Sequence, residues 1–280
     1  MMKNFFISLV ILFLAGIPAH GQNAFQVSVS GETNEQSILF FPGFASTSAI
    51  WEETVKELSR DYKCHVFTFA GFGNLPPIPS PWLETIKNEI IAYVKENKIR
   101  NPILVGHSLG GSLSYWLAIE EPGLFKQIIA VDALPCTAAI MIPEYKGEPF
   151  EYDNPHARQL LEMDDETFDH TIRQQVSFMS FDTSRHDQLV AMMKATDRET
   201  YVYGYIDLLN LDLRNNMSEI KIPVTVLATS FPDKETVQKT YDAQLEKLPL
   251  YDIKYAHDAG HFIMIDQPQW FIKNLKESLQ

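Results

Sequence analysis

The chain alternates short, continuously apolar runs with longer stretches in which apolar residues recur every three or four positions. Six short runs have the length of β-strands: 37–42, 65–70, 102–107, 127–134, 223–230 and 251–257. Five longer stretches predict helices, near 48–60, 82–97, 109–120, 236–248 and 268–279. Because continuous apolarity is typical of strands buried on both faces, the pattern predicts an α/β fold with a doubly wound, mostly parallel sheet.

Two segments depart from this alternation. Residues 24–31 alternate apolar and polar positions, which predicts an antiparallel edge strand. From residue 135 to residue 216 the pattern is helical, and the chain then returns to a strand. We therefore expect a core of residues 22–134 and 217–280, interrupted by a helical cap insertion at 135–216.

The N-terminus has the pattern of an export signal. Lys3 precedes an uncharged apolar run from Phe5 to Ile17, which is shorter than the roughly 20 residues that a membrane-spanning helix requires. Ala19 and Gly21 supply the small residues of a cleavage site. These features predict a signal peptide at 1–21 and a secreted or periplasmic protein, with an uncleaved N-terminal anchor as the alternative.

The overall charge restricts the possible partners. Lys and Arg number 23 and Asp and Glu number 36, which gives a formal net charge of −13. A chain of this charge repels nucleic acids and anionic membranes, so we expect no nucleic-acid partner.

Two cysteines are present in the sequence, Cys64 and Cys136. Cys64 directly precedes the strand at 65–70, whereas Cys136 follows the strand at 127–134. In a parallel sheet these positions lie at opposite ends, beyond the reach of a disulfide, so we expect two free thiols.

The sequence GHSLG at 106–110 carries the clearest chemical signal. An apolar strand runs directly into it and a helix pattern follows, so Ser108 stands at a sharp strand-to-helix turn. Glycines two residues before and after a serine allow such a turn and expose the hydroxyl group. In this context the pattern is typical of a nucleophile elbow, and a serine that only caps the helix is the lesser alternative.

A nucleophilic serine needs a base, and His261 is the best candidate. It follows the last predicted strand, precedes the last helix and comes after Ser108 in the chain. A histidine at this edge of the sheet can accept the serine proton and return it to the leaving group. His257 is a lesser alternative, and His107 is expected to pack or hydrogen-bond locally.

Two aspartates are candidates for the acid that orients this histidine. Asp233 follows the strand at 223–230 and lies between nucleophile and base in the chain, which favours it. Asp132 lies at the end of the strand at 127–134 and is the alternative acid. Either residue is otherwise an ordinary loop or turn aspartate.

An oxyanion hole requires two preorganised N–H donors. Leu109, at the start of the helix after the elbow, is expected to provide one of them. Gly43 allows the loop after the first parallel strand to turn sharply, and the N–H of Phe44 is then expected to provide the other. A plain turn capped by Ser46 or Thr47 is compatible with this arrangement.

At these residues the chain resembles the α/β-hydrolase superfamily, from about Ser37 to the C-terminus. The matching segments are FFPGFASTSAIW, AGFGNLP, LVGHSLGG, LATSFPD and AGHFIMIDQPQWF. The chain is similar to esterase-type members with a helical cap. The resemblance implies the α/β-hydrolase fold, with Ser108 as nucleophile, His261 as base and Asp233 as acid. It also implies Phe44 and Leu109 as oxyanion donors.

These observations predict a serine hydrolase that cleaves a carboxylic ester through an acyl-enzyme. We expect a small-molecule, ester-like substrate of small to medium size that is uncharged or apolar, and neither a metal nor an organic cofactor. Hydrolysis of an amide, a lactone or a C–C bond is one alternative. A ligand-binding module with little turnover is the other, because the fold alone does not select a function.

Apolar side chains of the insertion are candidates for a substrate pocket, but Met and aromatic residues at helical spacing more often build a core. They are Met141, Phe168, Phe178, Met179, Phe181, Met192, Met193 and Tyr203.

Overall fold

The computed structural model describes residues 23–142 and 144–280, and the predicted signal peptide at 1–21 lies outside them. Seven strands form one sheet, in the order β1-β3-β2-β4-β5-β6-β7. They are β1 Phe25–Ser30, β2 Ser37–Phe41, β3 Lys63–Phe69, β4 Ile103–His107, β5 Gln127–Val131, β6 Val224–Thr229 and β7 Tyr251–Ala256. β1 pairs antiparallel to β3 at the edge and all other pairs are parallel, which confirms the predicted sheet.

Helices connect the strands at the predicted places. They are α1 Glu52–Leu58, α2 Trp82–Glu96, α3 Leu109–Glu120, α4 Ala138–Met141, α5 Pro155–Glu162, α6 Asp165–Met179, α7 His186–Lys194, α8 Arg198–Asn210, α9 Lys234–Gln244, α10 Ile263–Asp266 and α11 Pro268–Ser278. Short 3-10 turns precede α1 and α7 and follow α8. Among the residues described, no helix has the length and apolarity needed to span a membrane.

The central strands are buried on both faces, as their continuous apolarity predicts. In β2, Leu39 and Phe41 belong to the apolar cluster on one side of the sheet, and Ile38 and Phe40 belong to the cluster on the other side. Successive side chains of a strand point to opposite faces, so this division shows that helices cover the sheet on both sides. The carboxyl ends of the parallel strands remain available at one edge.

The segment between β5 and β6 is helical, and its two ends lie side by side. Cys136 and Asp212 form an isolated antiparallel bridge, and the N–H of Leu213 donates to the carbonyl oxygen of Pro135 at 3.1 Å. Helices α4 to α8 lie between these ends, within the range predicted to form a cap. The division of the chain into core and cap domains stays a prediction.

Both cysteines are free, buried thiols, as expected. Cys64 lies near the start of β3, whereas Cys136 follows the end of β5, so the two thiols lie at opposite ends of the parallel strands. Burial raises the pKa of the Cys64 thiol to about 12. The reactive form of cysteine is the thiolate, so Cys64 is poorly suited to act as a nucleophile.

Candidate active site

Ser108 occupies the junction between β4 and α3, with φ 51° and ψ −119°. Residues with a side chain rarely adopt a positive φ, and they do so where the surrounding structure holds them. The two glycines that flank Ser108 allow the strand and the helix to approach each other closely at this turn. A Cβ atom at Gly106 would collide with the carbonyl oxygen of Gly110, and a Cβ atom at Gly110 would lie 2.5 Å from the carbonyl oxygen of Phe41. The tight turn therefore requires glycine at both positions.

His261 lies between β7 and α10, and its partner is Asp132. The Nδ1 atom of His261 is 2.6 Å from Oδ2 of Asp132. The N–H of Thr229, at the end of β6, donates to Oδ1 of the same carboxylate at 3.1 Å. Asp132 directly follows β5 and has a φ of 45°, which turns the chain sharply at the strand end. The carboxylate thus joins the ends of β5 and β6 to the histidine loop.

The expected pairing of Asp233 with His261 is wrong. Asp233 is exposed and begins α9, where its carboxylate accepts hydrogen bonds from the N–H and the hydroxyl of Thr236 at 2.9 and 2.8 Å. These hydrogen bonds lower its pKa, as expected for a carboxylate at a helix N-cap. The acid beside the histidine is the alternative candidate, Asp132.

The two other histidines considered from the sequence have different surroundings. His107 is buried, and its Nε2–H donates to the carbonyl oxygen of His261 at 3.0 Å. Burial holds the pKa of His107 well below the usual histidine value, so the ring is neutral and its contact is local, as expected. His257 contacts Ser230, with Nδ1 3.3 Å from the hydroxyl oxygen. His257 does not line the cavity that contains His261.

The loop after β2 lies directly against the elbow. A Cβ atom at Gly43 would lie 2.6 Å from Nδ1 of His107 and 3.3 Å from Cβ of Ser108. The absence of a side chain at Gly43 therefore allows the loop to approach the serine. Phe44 follows Gly43 and lines the same cavity as Ser108. Leu109 opens α3, so its N–H is one of the helix N–H groups without a partner inside the helix.

One cavity of about 660 Å³ lies at the carboxyl edge of the sheet. Ser108, His261, Asp132 and Phe44 line it, together with residues from the helical insertion and from the start of α9. Of the insertion residues considered from the sequence, Met141, Met179 and Met193 line the cavity, whereas Phe168 is core and Phe178 and Phe181 are exposed. The insertion therefore forms one wall of the candidate site.

A second carboxylate, Asp266, attaches the insertion to the histidine loop. It accepts hydrogen bonds from the hydroxyl of Ser180 at 2.7 Å and from the N–H groups of Phe181 and Asp182 at 3.0 and 3.1 Å. It also accepts from the N–H of Gly260 at 2.7 Å. The sequence carries no signal for this role of Asp266, because its partners at 180–182 are distant in the chain and form no motif with it.

Comparison with known proteins agrees with this architecture. The sequence model of the alpha/beta hydrolase family matches residues 38–274. A pimeloyl-acyl-carrier-protein methyl ester esterase from Vibrio atlanticus is 25% identical over 202 residues, which are 70% of this chain and 75% of that protein. A 3-oxoadipate enol-lactonase 1 from Acinetobacter baylyi is 21% identical over 258 residues, 88% of this chain and 90% of that protein.

Among solved structures, an enol-lactonase from Burkholderia xenovorans superposes with a TM-score of 0.74 at 15% identity. The superposition covers 91% of this chain and 96% of that chain. The shared fold and the match of the family model over most of the sequence lead to the same assignment. The protein belongs to the alpha/beta hydrolase family.

Proposed function

We propose that the protein is a serine hydrolase that cleaves a carboxylic ester through an acyl-enzyme. The observation that carries this proposal is the 2.6 Å contact between Asp132 and His261 in the cavity that Ser108 also lines. A carboxylate that holds a histidine in the same cavity as a half-buried serine with a positive φ is the arrangement that activates a serine nucleophile.

Each residue then has one role in the reaction. The carboxylate of Asp132 accepts the Nδ1–H of His261, which leaves Nε2 as the free base. As the hydroxyl oxygen of Ser108 attacks the ester carbonyl carbon, Nε2 takes the hydroxyl proton and then gives it to the leaving alcohol. Water repeats the sequence on the acyl-serine and releases the acid. The N–H groups of Leu109 and Phe44 are the proposed donors to the oxyanion.

A lactone is the second candidate substrate, since two of the relatives named above are enol-lactonases. Lactone opening uses the same attack, but the leaving alcohol stays attached to the acyl group. Parallel assays of a nitrophenyl ester and an aliphatic lactone, the latter by titration of the released acid, separate the two candidates. If kcat/KM is higher for the ester than for the lactone, the result supports the esterase proposal. If kcat/KM is higher for the lactone, the result supports the lactonase.

The proposed mechanism is tested by labelling with a fluorophosphonate and detection of the intact mass. We expect the wild type to gain one label, Ser108→Ala to gain none, and His261→Ala to react at least about 10²-fold more slowly. Ser114→Ala is the matched control, because Ser114 lies on α3, the helix that follows Ser108, but outside the cavity, and its hydroxyl donates to the carbonyl oxygen of Gly110. A folded wild type that takes no label would contradict the mechanism.

We also propose that the protein is exported, as a secreted or periplasmic hydrolase. The charged residue Lys3, the apolar run from Phe5 to Ile17 and the small residues Ala19 and Gly21 support this proposal. The test is the N-terminal sequence of the protein recovered from the cell envelope and the medium. A chain that begins at Gln22 supports cleavage, whereas an intact Met1 in the cytoplasmic fraction contradicts it.

A further inference from the structure

Two apolar segments lie where the cavity opens to solvent, and exposed polar residues, including His156, Gln175 and Thr236, also line the cavity. Residues that line a cavity and yet remain exposed mark the place where it reaches the surface. Ile140 and Met141, after β5, line the cavity and are 60% and 57% exposed. Phe231, after β6, also lines the cavity and is 48% exposed. We call these three residues the apolar mouth.

The apolar mouth continues onto the outer surface. Phe181, at the end of α6, packs edge-to-face on Phe231 with ring centroids 5.3 Å apart, and it is itself 43% exposed. Ile142 extends the other side of the mouth and is also exposed. Exposed apolar side chains that lie next to one another, rather than singly, mark binding surfaces. Their continuity with the cavity indicates that the bound group extends outward from Ser108.

The charges around the cavity define the kind of group that binds. Among the described residues that line the cavity, Asp132 is the only Asp, Glu, Lys or Arg. Its carboxylate already accepts hydrogen bonds from His261 and Thr229. The described wall therefore offers no Lys or Arg to pair with a carboxylate or phosphate group of a ligand. The net charge of −13 further disfavours an anionic ligand. An uncharged hydrocarbon group fits these surroundings.

The size of the cavity points to a long group rather than a short one. Its volume of about 660 Å³ lies within the range of pockets that enclose whole drug-sized ligands. An ester with a short acyl group and a short alcohol group would fill a small part of this space and would leave the apolar mouth in contact with water. A chain of many methylenes fills the space and gains binding energy with each group that it buries.

We propose that the apolar mouth binds a long hydrocarbon limb of the substrate, so that the enzyme prefers esters with one long chain to esters whose acyl and alcohol groups are both short. This inference rests on the proposed function. The limb is the acyl chain or the alkyl chain of the alcohol, and both have the same chemistry at the mouth. The reacting carbonyl of the substrate lies at Ser108, while the distal methylenes of the limb contact Ile140, Met141 and Phe231.

The test measures kcat/KM in two series, below the critical micelle concentration. One series contains nitrophenyl esters with acyl chains from acetate to decanoate, and the other contains acetates of alkyl alcohols of the same lengths. We expect kcat/KM to rise in one series by up to about fourfold per methylene, until the mouth is filled. A flat or falling profile in both series would overturn the inference.

Substitutions then locate the effect. Phe231→Ser is expected to lower kcat/KM about tenfold for the best long ester and less than about twofold for the shortest ester of the same series, while Phe231→Leu restores most of the loss. Leu250→Ser is the matched control, because Leu250 is 69% exposed but lies outside the cavity. Equal losses in Phe231→Ser and Leu250→Ser would overturn the inference.

Two further readouts separate the possible failures. Labelling by a small fluorophosphonate reports whether Phe231→Ser is folded with an intact serine site; if it is not, Ile140→Ser takes its place. A folded wild type without labelling or ester turnover overturns the proposed function and this inference together. A dimer that Phe231→Ser dissociates, with no change in chain-length preference, shows that the patch binds a second copy and overturns this inference alone.

Discussion

The loops that follow β5 and β6 each place an aspartate at the carboxyl ends of the strands, but the two carboxylates bind different kinds of partner. Asp132 comes directly after β5 and holds together the end of β6 and the histidine loop. Asp233 comes after three further loop residues and binds only the first turn of its own helix. The comparison teaches that a carboxylate in direct continuation of a strand can contact distant segments, whereas one set beyond the loop serves local structure.

The largest expected effect separates the two aspartates by activity. In Asp132→Asn, an amide oxygen that keeps the hydrogen bond from the N–H of Thr229 turns the NH2 group toward Nδ1 of His261. This favours the wrong histidine tautomer and removes the charge that stabilises the imidazolium, so kcat/KM is expected to fall about 10³- to 10⁴-fold. Asp233→Asn is the matched control, because asparagine is an equally good N-cap; it should change kcat/KM less than about twofold. Ester hydrolysis at saturating and limiting substrate measures both. A larger loss in Asp233→Asn would reverse the assignment of the acid.

An intermediate effect is expected at Asp266, which joins distant segments without touching the side chain of His261. Asp266→Asn replaces one acceptor oxygen with a donor that faces N–H groups, so the free energy of unfolding should fall by about 1–3 kcal/mol. Because Gly260 precedes His261, kcat/KM should fall as well, and Asp266→Glu should recover part of it.

The control for Asp266 is Asp164→Asn at the other end of α6. Asp164 caps the helix through the N–H of Thr167, and asparagine can keep that hydrogen bond. Urea unfolding and ester kinetics on both variants check the prediction. Equal stability of Asp266→Asn and wild type would show that the insertion is held by other contacts.

The smallest effect is the local one at Asp233. Asp233→Ala removes the cap of α9 and should lower Tm by a few degrees without changing kcat. The hydrogen bonds from Thr236 lower the pKa of Asp233, so its contribution to stability is present above pH of about 4 and is lost as pH falls through the folded-state pKa. Thermal unfolding at pH 7 and pH 3 should therefore show a smaller difference between variant and wild type at pH 3.

The sheet was predictable because its signal is local. Continuous apolar runs and the glycines around Ser108 mark strands and the elbow within a few residues, and burial in two apolar clusters reproduces that pattern. Ser108 follows β4 and His261 follows β7. Because the carboxyl ends of parallel strands lie at the same side of a sheet, the sequence predicted that both residues lie there. The family resemblance is confirmed by the match over residues 38–274.

The choice of acid and the contacts of the insertion were not predictable in the same way. The direction of the Asp132 side chain depends on a positive φ after β5, which no periodicity reports. A local signal did exist for Asp233, because Asp is a favoured N-cap residue ahead of a helix, where its carboxylate accepts the backbone N–H three residues later. The partners of Asp266 and the exposure of Phe231 depend on how the insertion folds over the sheet edge, which involves residues far apart in the chain.

The bridge between Cys136 and Asp212 brings the two ends of the helical insertion together at one place beside the sheet. The inserted helices leave and rejoin the sheet at adjacent positions, and the side-chain amide of Gln244 hydrogen-bonds both the N–H and the carbonyl oxygen of Cys136 at 3.0 Å. Because both ends of the insertion leave the sheet at one place, we expect changes of length in its outer loops to leave the pairing of β5 with β6 in register. New substrate preferences can then arise without a change in the strands that carry the reacting groups.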